Sequence, residues 1–257
     1  MKRLVFLALV LTLALLSVGA PHRFGGTFIG AMIAQEGIVM ASDSRSTFID
    51  DSGKAIGYVD RMPKVFAEHG SAFAVSGLIS VDGDLFSSFI RENAFLLERP
   101  ADEILMGLSL WLPFKNSTSV LLISAGFVDG SPTICARAPH DPQTCQKSGY
   151  ITNKPSSALR NWLTGRNGKA PKADEAAAVL KLAIREAADL DSMIGGPTTV
   201  LLLKNSGDPQ WLENKPSDNG WTRVCDIVTD YRLGRAQVFF TTSKYELDRH
   251  LIGVCPR

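Results

Sequence analysis

The sequence predicts an α+β domain of two stacked sheets with helices on both outer faces. Three observations lead there. The elements run strands, two helices, strands, two helices, strands; several strands are unbroken apolar runs; and the helices carry their apolar residues on one side. Helices of that kind bury their apolar sides only if they lie on sheets, so the sheets face each other and the helices go outside. A chain of 257 residues with 45% hydrophobic content suffices for one such domain.

Each element has its own signal. Phe28 to Ile33 reads as a buried strand that Thr27 opens, Gln35-Glu36-Gly37 turns the chain, and Ile38 to Ala41 returns as a second strand. A tight hairpin brings the two ends together, so Asp43 lies on the same edge as Thr27. Asp50-Asp51-Ser52-Gly53 marks a polar loop. Lys64-Val65-Phe66 and Ser71 to Val75 are two more strands, and Ser76-Gly77 leads towards a helix spaced by Phe86, Phe89, Ile90, Phe95 and Leu96. Pro100 opens a second helix carrying Ile104, Leu105, Leu108 and Leu112. The second half begins with the β run Ser119 to Ser124 and the turn Asp129-Gly130, with Thr133 to Ala138 and Gln146 to Thr152 as neighbouring strands. Pro155-Ser156-Ser157 opens a short helix, and Asp174 caps a longer one through Val179, Leu180, Leu182, Ile184 and Leu190. Gly195-Gly196-Pro197 stops it before a last strand, Thr198 to Leu203.

Lys2-Arg3, the apolar run Leu4 to Leu16 and the small residues Val18-Gly19-Ala20 have the layout of a secretory signal over residues 1–20. An uncleaved anchor is the other reading, although the run is short for a span of roughly 20 residues. Residues 21–26 then form a short propeptide and 27–257 the domain. Once the signal is removed no segment is apolar enough to cross a membrane, which implies an exported, soluble protein, periplasmic or extracellular. In an oxidising compartment Cys135, Cys145, Cys225 and Cys255 favour disulfides over free thiols. Cys135 and Cys145 lie symmetrically about His140 in a Pro-bracketed stretch and can face each other across a hairpin, leaving Cys225 with Cys255. Four buried free cysteines are the alternative. Without CxxC spacing, and with His22, His69, His140 and His250 scattered, neither a metal nor another cofactor is expected. A formal charge of +1 implies no nucleic-acid-binding surface.

Gly26-Thr27 carries the chemistry. If the bond before Thr27 is cut, one residue supplies a hydroxyl nucleophile and a free α-amine to act as its base. Such an amine has a reference pKa near ~8, so a modest depression leaves it neutral. A lysine beside it favours that neutral form and stabilises negative charge on Oγ. Lys64 enters an apolar strand and is preferred to Lys54, which sits in a polar loop.

These residues together resemble the proteasome β-subunit family with its bacterial relatives, over roughly Gly26 to Leu203. The Gly-Thr start, Asp43-Ser44-Arg45 after the first hairpin, the Lys-Val-Phe strand, Val75-Ser76-Gly77 and the Gly195-Gly196 junction follow in the family's order. The resemblance implies a four-layer αββα sandwich, the N-terminal-nucleophile (Ntn) hydrolase fold, and a self-processing threonine endopeptidase. Thr27 would be the nucleophile, Gly26 the self-cleavage position, Asp43 the acidic partner, and Lys64 the lysine beside the nucleophile. The Gly77 N–H would be an oxyanion donor, a contact whose removal typically costs ~3 kcal/mol. Asp191 would order the nucleophile's surroundings. Ser46, Met62, Phe66, Val75 and Ile79 would surround the first specificity pocket, and Thr47 with Gly77 would bind an extended peptide by strand addition.

The sequence also departs from the family. Ile194 stands where a serine usually precedes the paired glycines, neither Ser148 nor Ser156 clearly matches the family's other site serine, the 48–61 loop is long, and the tail after Trp211 has no counterpart. Two further readings therefore stay open: a non-catalytic scaffold or assembly subunit, and an amidohydrolase for small amides. A peptide substrate and a homo-oligomer, ring or smaller, are the expected partners.

Overall fold

The computed structural model describes residues 24–50, 52–68, 70–77, 80–81, 83–111, 120–138, 141–166, 168–206, 208–216 and 219–255. The expected export segment, residues 21–23 of the expected propeptide and Ile79 lie outside the described residues. The fold is the four-layer αββα sandwich.

One central sheet has the order β13-β2-β3-β14-β15, from Tyr150–Thr152, Ile29–Ala34, Gly37–Ser42, Thr199–Lys204 and Pro209–Glu213. The facing sheet has the order β12-β11-β10-β7-β6, from Thr144–Gln146, Ser131–Arg137, Leu121–Val128, Ser71–Ser76 and Val65–Glu68. Ile29, Ala31, Ile38, Met40 and Leu201 of the first sheet meet Ala72, Ala74, Ile123 and Ile134 of the second. Their strand neighbours point outward: Phe28, Met32, Val39, Val200 and Leu202 pack under α3 (Ser157–Thr164) and α4 (Ala173–Leu190). On the far side Phe73, Val75, Leu122 and Cys135 pack under α1 (Phe86–Glu92) and α2 (Ala101–Trp111). Both faces of each central strand are covered, so β2, β3 and β7 are buried at every position and show no polar alternation.

Helix α4 shows how the sequence sets an outer layer. Ala176, Ala177, Val179, Leu180, Ala183, Ile184 and Ala187 give it one buried stripe. Its N-terminus differs from expectation: Lys172 is the cap residue and Asp174 lies in the first turn. The Glu175 carboxylate accepts the Lys172 N–H at 2.9 Å, and Glu36 accepts that of Ala173 at 2.8 Å, so two first-turn donors are satisfied without an Asp174 cap. The stretch Gln146 to Thr152 is likewise not one strand. Its start pairs with β11 and its end with β2, so the chain crosses the sandwich there.

Asp50, Ser52 and Gly53 of the polar loop lie at the tip of a hairpin, β4 (Ser46–Ile49) with β5 (Ala55–Val59). Asp50 Oδ1 accepts the N–H groups of Ser52 and Lys54, each at 2.9 Å, and so ties the turn. This hairpin is the middle of a third sheet, β1-β4-β5-β16, completed by Phe24–Gly25 and Phe239–Phe240. The tail supplies its cover. Val224, Ile227 and Val228 of α5 (Val224–Arg232), with Leu247 and Leu251 of α6 (Lys244–Val254), close over Phe48, Ile56, Val59 and Met62. Two disulfides join Cys135 to Cys145 and Cys225 to Cys255, in the pairing read from the sequence. The first ties β12 to β11; the second fastens α6 to α5.

The Cys225–Cys255 crosslink closes a separation of 30 residues, for which about 2–4 kcal/mol is typical. A Cys225→Ser/Cys255→Ser variant is expected to lose that much in urea titration. Hydrogen exchange should accelerate first in residues 221–255 and leave β2 and β3 protected; uniform acceleration would mean the tail is not a separately opening layer.

Candidate functional site

The hairpin β2–β3 does what its length dictates. The Asp43 N–H donates to the Phe28 carbonyl at 3.2 Å, so the end of the returning strand lies beside the start of the outgoing one. Asp43 sits there with no exposed surface, and Lys64, just before β6 on the facing sheet, reaches it with Nζ 2.9 Å from Oδ1. Two N–H groups, of Gly195 at 3.0 Å and Arg45 at 3.2 Å, donate to Oδ2, and that of Phe28 donates to Oδ1 at 2.8 Å. Every lone pair thus faces a donor, the setting of an ionised carboxylate. Burial pushes the Asp43 carboxyl above its ordinary range and the Lys64 ammonium below its own, because desolvation outweighs their mutual attraction.

Lys64 Nζ also donates to the Gly26 carbonyl at 3.3 Å, and the Thr27 hydroxyl donates to the same oxygen at 2.7 Å. Gly26 itself is dictated by space. Its φ is 78°, and a Cβ there would lie 2.0 Å from the Met193 Cβ and 2.3 Å from the Met193 carbonyl oxygen. Gly196 has the same need, with a φ of 74° and Ser44 Oγ 2.8 Å from where a Cβ would stand.

The structure brings Gly26, Thr27, Asp43 and Lys64 together as expected and sets Gly77 and Asp191 at one remove. Gly77 closes β7 in a left-handed conformation, with no hydrogen bond to Thr27. Asp191 acts at one remove: its carboxylate accepts the Met193 N–H at 3.0 Å and lies 3.3 Å from Lys154 Nζ, while the Met193 carbonyl takes the Thr47 hydroxyl at 3.4 Å. The expected specificity residues fall in more than one place: Met62 and Phe66 share the wall of one cleft, and Phe66 packs against the cluster that holds Val75. Val75 belongs to the cluster under α1 and α2, Met62 to the tail cluster, and Ser46 is 1% exposed with its hydroxyl unpartnered. The edge at Thr47 is already taken, because β1 pairs on β4 with Gly25 opposite Thr47 and Phe24 opposite Phe48. Ile194 is 2% exposed and packs with Leu180 and Ala187, so no hydroxyl replaces the missing serine at that position.

Two residues take part in ways the sequence did not assign. Asn153 binds the segment after Gly26 by three hydrogen bonds: its N–H to the Ile29 carbonyl at 3.2 Å, its Oδ1 from the Ile29 N–H at 2.9 Å, and its Nδ2 to the Thr27 carbonyl at 2.8 Å. Asn-Lys-Pro is a turn signal, and it gave no hint of a partner so far away in the chain. Arg45 lies over the Tyr58 ring at 3.7 Å, pairs with Asp60 at 3.1 Å and donates to the Ser192 carbonyl at 3.2 Å. It braces the Gly195 loop that binds Asp43.

No protein-family model matches the sequence, and no curated protein does. Among solved structures the chain is similar to Anbu from Hyphomicrobium sp. strain MC1, in a Gly-1 mutant form, with a TM-score of 0.56 and 13% identity over 76% of this chain and 90% of that one. The likeness is one of fold, and it bears out the Ntn-hydrolase sandwich. The expectation of an active, self-processing threonine endopeptidase is corrected by these findings. In the uncut chain Lys64 and the Thr27 hydroxyl both donate to the Gly26 carbonyl, and Thr27 is 4% exposed.

Lys64→Met would leave the Asp43 carboxylate buried without its cation, a change that costs about 3–5 kcal/mol. Asp43 already has a raised folded-state pKa, and losing Lys64 raises it further. Its stabilising contribution is therefore full below the unfolded value and lost as pH rises through the folded one. Urea midpoints should show a larger deficit at about pH 8 than at about pH 5. A deficit independent of pH would mean that the pair is not what the variant disturbs.

Proposed function

We propose that this chain is a non-catalytic, proteasome-like scaffold or assembly subunit, exported and self-associating. One observation carries the reading: the residues before Thr27 are built into the domain. Phe24–Gly25 is a strand on β4, and the Gly26 carbonyl is the hydrogen-bond partner of Lys64. The Asp43–Lys64 pair then serves as a structural clamp that joins the two central sheets and the start of the domain. Apolar side chains left exposed on both helix layers support self-association: Phe95 and Met106 on one, Leu182 and Leu190 on the other. The fold likeness to Anbu supports the same reading, and the Lys2-Arg3 and apolar leader supports export.

Intact mass and N-terminal sequencing of the exported protein test this directly. The expected chain begins upstream of Thr27, at Pro21 once the leader is removed, and stays so over days. Thr27→Ala should leave its N-terminus, its sedimentation and its melting unchanged, and sedimentation should report a multiple of one chain. A chain that starts at Thr27, or peptide turnover that Thr27→Ala abolishes, would sink the proposal.

A further inference from the structure

Among the described residues the second sheet ends at β6, and no strand pairs with it on the side away from β7. Val75 donates its N–H to the Lys64 carbonyl at 3.1 Å, which fixes the parity of the ladder. Lys64, Phe66 and Glu68 therefore bond towards β7, whereas Val65 and Ala67 turn their N–H and C=O groups outward. Among the described residues no hydrogen bond engages those outward groups. Alongside lies a cleft of about 230 Å³, walled by Phe66, Leu85, Ile90, Leu97, Trp211 and Trp221. It is apart from the clamp: Thr27, Asp43, Lys64 and Gly77 do not line it. At one end Glu68 is exposed and makes no ion pair, while Arg91, on the cleft's other side, donates to the Trp221 carbonyl at 3.1 Å.

We infer that this cleft binds an extended peptide that adds to β6 as an antiparallel strand. Open main-chain donors and acceptors ask for another main chain, the apolar walls ask for a large apolar side chain, and the unpaired carboxylate asks for a cation. The register orders them. A peptide residue opposite Phe66 places its side chain on the Phe66 face, over Leu85, Ile90 and Leu97, and the residue two before it stands opposite Glu68. The ligand is therefore basic-x-apolar, read from its N-terminus. This surface does not depend on the scaffold reading.

Fluorescence anisotropy with a labelled Gly-Arg-Ala-Phe-Ala-Gly peptide tests the inference on the full chain. Saturable binding is expected, on the order of tenfold weaker when the alanine between Arg and Phe is N-methylated. Ala67→Pro removes one outward N–H from an edge strand that tolerates proline, and it should weaken binding by a similar factor. If that variant fails to fold, the N-methylated peptide carries the test alone. Exchanging Arg for Glu in the peptide should weaken binding, and Glu68→Lys should reverse the preference. No saturation up to about 1 mM, or binding indifferent to both N-methylation and Ala67→Pro, would overturn the proposal.

Discussion

Everything near Thr27 hangs on one fully buried ion pair. Asp43 follows a strand of one central sheet and Lys64 precedes a strand of the other, and their contact at 2.9 Å joins the two. Burying two charges is expensive, and their attraction offsets it only when the remaining hydrogen-bonding sites are filled. The fold fills them from four places: Phe28 after Thr27, Arg45 after Asp43, Gly195 before β14, and the Gly26 carbonyl. Segments far apart in the chain are therefore fixed by the needs of one carboxylate and one ammonium. Gly26 and Gly196 follow, since side chains there would displace Met193 and Ser44.

The same constellation can be read as a catalytic apparatus or as a clamp, and the residues alone do not distinguish the two. The difference lies in what surrounds them. A nucleophile's base must be a free amine, whereas in the uncut chain the Gly26–Thr27 bond offers its carbonyl to Lys64 as a hydrogen-bond acceptor. A substrate edge must be vacant, and here β1 fills it. An intact trio of chemical residue types is therefore compatible with a purely architectural use, provided the groups satisfy one another.

Much of the fold was legible because its signals are local. The hairpin from Phe28 to Ala41 needs only two apolar runs and a turn, and a lysine entering an apolar strand calls for a buried partner. Asp43 and Lys64 were readable for that reason. Asn153 and Gly195 were harder, because their contacts join positions 126 and 152 residues apart and leave no local pattern. Val75 was placed by resemblance alone, because β7 is buried on both faces and composition does not say which face a valine occupies. The tail hid its structure because β16 is two residues long and finds its partner, Tyr58 opposite Phe239, only in the folded chain.

The third sheet has a consequence for the order of folding. Its outer strands are β1 and β16, the first and last strands described, and the β4–β5 hairpin lies between them. Such a sheet has high contact order, because loops spanning most of the chain must close before its edges pair. During synthesis the two central sheets can assemble once Glu213 has emerged, whereas this layer must wait for Phe240. The nascent protein would then pass through a stage with its sandwich formed and the β4–β5 hairpin still uncovered on the side that the tail will close.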